Sequence, residues 1–185
     1  RAYFFQPDGT PKPVGTLLTN PALAATLQDI GQHGPDAFYK GTLAQKIVAA
    51  VQQAHRRPGR LSMKDLADYQ AKERTVLCRP YRHWRVCTMP PPTSGGITTL
   101  QILGHLSRFP SSIVGADTPT AAHLFAESSR LAFADRGRYI GDTDFVDTPV
   151  QGLLNPDYLQ QRSQQIQEGK SLGTAKPGVP KGQSG

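Results

Sequence analysis

The sequence predicts an α+β fold, helix-rich with one β-hairpin, from three observations. Capping residues stand directly before prolines, apolar residues recur at helical spacing over most of the chain, and one short β-prone run surrounds Arg82-His83. At 185 residues the chain is long enough to bury a core, while 18 glycines and 16 prolines require many turns. No apolar run approaches the roughly 18 residues that would cross a bilayer. Arg1-Ala2-Tyr3 does not read as a signal peptide, so the start is expected to be internal to a longer chain.

Helix starts are well marked. Asn20, Thr118 and Asn155 each precede a proline, placing a capping side chain ahead of a residue whose missing N–H is not needed at the first helical position. The first helix is expected from Pro21 to about Gln32, with Leu23, Leu27 and Ile30 on one face. A second runs from Thr42 to His55 with Leu43, Ile47, Ala50 and Val51 aligned. Ser62 caps a short helix from Met63 to about Tyr69, and Asp65 acts as the acidic member of a capping box.

Between about Val76 and Met89 the residues turn β-prone. A two-residue turn at Arg82-His83 places Tyr81 opposite Trp84 and Cys78 opposite Cys87, with Pro80 where no amide is required. The chain then enters Pro90-Pro91-Pro92-Thr93-Ser94-Gly95-Gly96. Three prolines fix φ and supply no donors, so this loop is read as a stiff structural element leading into a helix from Ile97 to about Phe109. Gly95 is expected to adopt a backbone geometry that a Cβ would forbid. A linker, Pro110 to Asp117, precedes a long helix from Pro119 to about Ile140. Ala122, Phe125, Ala126, Leu131, Ala132 and Phe133 are expected to face the core there, with Glu127, Arg130 and Asp135 pairing on the other side. Tyr158, Leu159 and Ile166 give a final helix. The segment from Gly169 onward, rich in glycine and lysine, lacks evident apolar anchors and is expected to be a flexible tail.

Five blocks in order carry a family resemblance: Gly34-Pro35-Asp36-Ala37-Phe38-Tyr39-Lys40-Gly41, Leu66-Ala67-Asp68-Tyr69, Met89 to Gly96, Leu131 to Asp142, and Asp144 to Leu154. The chain resembles the γ-glutamyltranspeptidase family, with Thr93 where that family usually has Ser and the hydroxyl kept. The resemblance implies a four-layer α-β-β-α sandwich of the N-terminal-nucleophile hydrolase type, of which residues 1–168 form the C-terminal part of the large subunit. Residues 169–185 then lead to a self-cleavage junction at Ser184-Gly185. It further implies that the nucleophilic Thr, on a small subunit, and the Arg that holds the substrate's α-carboxylate both lie outside this sequence. No catalytic residue is therefore expected within it, and the 185 residues alone are expected to be inactive. The substrate implied is glutathione or another γ-glutamyl compound, and the partners are the small subunit and the N-terminal part of the same precursor. A related self-processing acylase, or a non-catalytic interaction module, are the alternatives.

Other chemistry finds little support in the residues. A net charge of +7 invites a nucleic-acid reading, but no helix-turn-helix, zinc or RNP-type signature accompanies the basic runs at Arg56 to Arg60 and across Arg74, Arg79, Arg82 and Arg85. A solvated face, or one complementary to the rest of the enzyme, is expected instead. The five histidines show no metal-ligand spacing, and neither a cofactor nor a metal is expected. His123 and Glu127, one helical turn apart, read as a surface pair rather than an acid–base couple. Asp142, Thr143, Asp144 and Asp147 fail the calcium-loop pattern and read as a turn tied to Arg136 or Arg138, a network that also takes in Asp135. Thr93 to Gly96 lacks the lysine of a phosphate loop. For Cys78 and Cys87 the hairpin allows a bridge, and the resemblance implies periplasmic or secreted export, which permits one. Two buried free thiols are nevertheless the expectation.

Overall fold

The computed structural model describes residues 3–182, and the chain divides into two compact units, Arg1–Lys72 and Glu73–Gly185. The first unit holds α1 (Pro21–His33), α2 (Pro35–Tyr39), α3 (Thr42–Gln52) and α4 (Met63–Ala67). Asn20 Oδ1 accepts from the Leu23 N–H at 3.0 Å, as the Asn-Pro pair predicts. At α4 the capping box is complete: Ser62 Oγ accepts from the Asp65 N–H, and the Asp65 carboxylate accepts from the Ser62 N–H at 2.8 Å. Ala44 and Val48 of α3 are buried, while Leu23 and Leu27 of α1 are more than half exposed. The short α2 was missed because Gly34-Pro35 reads as a turn as readily as a helix start.

The second unit opens with a hairpin of β1 (Leu77–Tyr81) and β2 (Trp84–Thr88), paired antiparallel with Tyr81 opposite Trp84 and Cys78 opposite Cys87. Arg82 takes the positive φ of 55° that the two-residue turn demands. The expectation of two free thiols does not hold. Cys78 and Cys87 are bonded, S–S 2.06 Å, because this register brings their Cα atoms to 4.1 Å, the close spacing of a non-hydrogen-bonded pair. Helices α5 (Gly95–Leu106), α6 (Ser111–Val114), α7 (Pro119–Tyr139), α8 (Val150–Leu153) and α9 (Pro156–Ser163) follow. Thr118 and Asn155 cap α7 and α9 as predicted. The single-turn helices α6 and α8 are too short to show a period.

Helix α5 is the central element of this unit, packing on α7, α9, α8 and the hairpin. On one side Ile102 and Leu106 meet Leu124, Leu131, Ala132 and Ile166. On the other, Ile97 and Leu100 meet Leu153, Leu154, Tyr158 and Leu159. Each large apolar side chain removed from water in this way contributes about 1.5–3 kcal/mol.

The proline loop gains its shape at Gly96, not Gly95. Pro90, Pro91 and Gly96 are buried, whereas Pro92, Thr93 and Gly95 are exposed. A Cβ on Gly96 would overlap the Met89 carbonyl oxygen, but one on Gly95 would meet nothing closer than Thr93 Oγ1 at 3.9 Å. The close approach of strand end to helix start therefore rests on Gly96. Replacing Gly96 with Ala in the full-length protein should lower unfolding free energy by more than about 2 kcal/mol. Gly95→Ala should change it by less than about 1 kcal/mol, in the stabilising direction, because Ala is the better helix former. Urea unfolding of the two variants side by side checks both values.

Candidate functional site: a polar spine beneath the C-terminal segment

The periodic face of α7 that packs inward is half polar. Leu124, Glu127, Ser128, Leu131, Ala132 and Asp135 recur at helical spacing and are all buried, whereas Phe125 and Phe133 are 56% and 57% exposed. The expectation that Glu127 and Asp135 face outward is thus reversed. The reason is that each carboxylate meets a full set of donors, which removes the penalty for burying a charge.

Asp135, fully buried, accepts from four groups. Its Oδ2 takes the Gln101 amide of α5 at 3.0 Å and the Tyr158 hydroxyl of α9 at 2.7 Å. Its Oδ1 takes the Arg162 guanidinium of α9 at 3.1 Å and the backbone N–H of Gly178 at 2.8 Å. These use the lone-pair directions of an ionised carboxylate. Burial and then the bond to Asp135 push the Tyr158 hydroxyl far above its ordinary pKa, so it remains a donor. Arg162 Nη2 also donates to the carbonyls of Leu131 and Lys176, at 3.3 and 2.8 Å.

Two turns earlier, Glu127 Oε1 accepts from Arg130 Nε at 3.1 Å and the Ser171 hydroxyl at 3.0 Å, and Oε2 from the Leu172 N–H at 2.7 Å. Burial raises its pKa, but the Leu172 and Ser171 hydrogen bonds and the Arg130 charge outweigh it and hold the carboxyl below its usual value. His123 lies near enough to Glu127 to be the least of the influences that lower its carboxyl pKa, while the His123 Nε2 donates to the Gln167 carbonyl at 2.8 Å. Arg130 Nη1 donates to Gly173 O at 2.9 Å, and Tyr139 donates its hydroxyl to Gly178 O at 2.7 Å. Residues 167–178 therefore run alongside α7 in the same direction, held successively by His123, Glu127, Arg130, Asp135 and Tyr139.

The segment after Gly169 is consequently anchored, contrary to the reading of an unanchored tail. Leu172 and Ala175 pack on the core and Pro180 is fully buried. The sequence signal lies in the i, i+3, i+4 spacing of 124, 127, 128, 131, 132 and 135; of the pairing expected among Glu127, Arg130 and Asp135, the Glu127–Arg130 pair is present, but both carboxylates are buried. Ser184 and Gly185 lie outside the described residues.

The remaining sequence-selected residues take structural positions. Ser94 Oγ accepts from Arg136 Nε at 2.8 Å, so α7 also fixes the proline loop. Asp144 and Asp142 pair with Arg74, at 2.8 and 3.9 Å, while Asp135 belongs to the α9 network. The basic residues around the hairpin are more than a solvated face. Arg79 bonds Gln151 at 2.7 Å and Arg82 bonds the Phe109 carbonyl at 2.9 Å.

The γ-glutamyltranspeptidase family model matches residues 1–183. The Escherichia coli K12 glutathione hydrolase proenzyme is 40% identical over 167 residues, 90% of this chain and 28% of its own length. The chain thus spans a little over a quarter of that curated relative. The solved structure of Helicobacter pylori γ-glutamyltranspeptidase superposes with a TM-score of 0.77 at 33% identity, over all of this chain and 52% of that one. A cephalosporin acylase from Bacillus halodurans gives 0.69 at 28% identity, over 89% of this chain and 30% of its own.

Two measurements on the full-length protein test the spine. Arg162→Met strands the buried Asp135 charge and should cost about 3–5 kcal/mol, part of which Asp135→Asn in the same protein should restore. His105, fully buried with Nδ1 3.3 Å from the Ser128 carbonyl, is pushed down to about 4, chiefly by desolvation. The unfolded chain takes up that proton near 6.5, so the native state binds fewer protons below that pH. Its contribution is complete above pH 6.5 and is lost as pH falls toward 4, by roughly 3 kcal/mol. Stability measured from pH 7 to pH 4 should fall less steeply in His105→Asn, whose amide can replace the Nδ1–H donor.

Proposed function

The chain belongs to the γ-glutamyltranspeptidase family, and from that premise we propose that it is part of an enzyme that transfers the γ-glutamyl group of glutathione or a related amide to water or an amino acid. The observation that carries this reading is the match over residues 1–183 together with the superposition on the Helicobacter pylori enzyme over the whole chain. The proposed nucleophile is the hydroxyl of a Thr that follows Gly185 in a precursor, consistent with relatives named proenzymes.

In self-cleavage that hydroxyl attacks the Gly185 carbonyl. The C–N bond breaks, the hydroxyl proton passes to the leaving amine, and the resulting ester is hydrolysed by water to a Gly185 carboxylate and a free hydroxyl. The freed α-amine then serves as the base for the same hydroxyl in acyl transfer. The γ-glutamyl carbonyl forms an ester with the Thr, the substrate's amine leaves with the proton, and water or an amino acid takes the acyl group.

The role assigned to this chain is structural: outer helices of a four-layer α-β-β-α sandwich, and delivery of the scissile junction. Its partners are the small subunit and the N-terminal part of the precursor. The Cys78–Cys87 bond supports a periplasmic or secreted location, where disulfides persist. No described helix is long and apolar enough to cross a membrane.

The likeness to the cephalosporin acylase favours a second reading, a self-processing acylase on the same scaffold. Purified, processed full-length protein should release aniline from γ-glutamyl anilide at least tenfold faster than from glutaryl anilide, which lacks the α-amine. The reverse preference would select the acylase. The 185-residue chain alone should release none above a no-protein control.

A further inference from the structure

In the C-terminal segment, Gly178 is gripped on both sides of its own α-carbon by side chains of α7. Its N–H is held by Asp135 Oδ1 at 2.8 Å and its carbonyl by the Tyr139 hydroxyl at 2.7 Å. Two residues earlier the Lys176 carbonyl is held by Arg162 at 2.8 Å, and two residues later Pro180 is fully buried. The seat admits only glycine, since a Cβ would overlap the Tyr158 hydroxyl and lie 2.8 Å from Arg162 Cδ. No other residue can enter it by a one-residue slip of the chain, because the neighbours are Pro177 and Val179. A proline has no N–H for Asp135, and a valine carries the excluded Cβ.

We propose that Gly178, seated between Asp135 and Tyr139, is a register pin that positions the self-cleavage junction, an inference that rests on the self-processing reading above. A junction at Gly185, as proposed above, is seven residues further along the sequence, a span of at most roughly 25 Å for any chain. Without the pin, the tether is measured from the next clamp back, the Arg162 bond to the Lys176 carbonyl, two residues earlier. The effective concentration of a tethered group falls as about the −3/2 power of tether length, so slack alone should slow cleavage by only about 1.5-fold. Loss of the fixed approach of the carbonyl to the hydroxyl adds a larger factor, since orientation is the main contribution of a preorganised intramolecular reaction. Gly178, Asp135 and Tyr139 are positioning residues in this scheme, and none touches the reacting atoms.

The test is the first-order self-cleavage rate of the full-length precursor, refolded from denaturant and followed by gel at least 15 °C below its melting temperature. Gly178→Ala should slow cleavage by tenfold or more, and Tyr139→Phe, which removes one hydroxyl and keeps the ring, by threefold or more. Glu168→Gln, an exposed carboxylate outside the network, should cleave at the wild-type rate. A purely structural role predicts lowered melting temperatures without a register effect, so a second measurement separates the two. Inserting Gly-Gly after Lys181 should slow the pinned wild type strongly and the unpinned Gly178→Ala variant by less than twofold.

Wild-type cleavage rates in both Gly178→Ala and Tyr139→Phe, or equal slowing by the insertion in pinned and unpinned backgrounds, would overturn the pin while leaving the self-processing reading intact. A wild-type precursor that never cleaves would overturn that reading and the pin with it.

Discussion

The second unit depends on one buried carboxylate. Asp135 draws a donor from α5, two from α9 and one from the C-terminal segment, so that three stretches of chain meet at a single acceptor on α7. Apolar packing around Ile97, Leu124 and Leu153 supplies the bulk of the driving force, but it is non-directional and tolerates sliding. A charge that must find four donors at once does not. It converts a hydrophobic cluster of helices into one with a fixed mutual register, and its partner Arg162 extends the same constraint to the carbonyls of Leu131 and Lys176.

Local chemistry was the most legible part of the sequence. The caps at Asn20, Thr118 and Asn155, the box at Ser62 and Asp65, and the pairing of Tyr81 with Trp84 involve residues within a few positions of one another, and they stand as read. Readings that depended on distant partners fared worse. Nothing near Glu127 or Asp135 in sequence announces that Leu172 and Gly178 will bring backbone amides to them, so the sequence places both carboxylates with Arg130 on the outward side and Phe125 and Phe133 in the core. Arg74 was likewise hidden as the partner of Asp144, seventy residues away. At the proline loop the right residue type was singled out at the wrong position. The need for glycine arises from the Met89 carbonyl opposite Gly96, which only the path of the chain reveals.

The surfaces left uncovered agree with a chain that spans about 28% of the Escherichia coli relative. Phe125 and Phe133 lie on the outward side of α7, and Leu23 and Leu27 on α1, each more than half exposed. Apolar faces of that kind are costly in water and are ordinarily covered. The buried carboxylates of α7, by contrast, find their donors within the chain itself. The helix therefore has two unlike faces, one already closed by its own C-terminal segment and one still apolar and open.

The hairpin carries a directional consequence. In its register Pro80 opposes Arg85 at a pair whose backbone groups point away from the partner strand. The outer rim of β1 thus lacks a donor at its middle, and a further strand laid against it would meet a pyrrolidine ring in place of an N–H. β2 has no such interruption from Trp84 to Thr88. The two-stranded sheet is blunted on one side only, so growth into a wider sheet can proceed from β2, and the growth direction is written into a single proline.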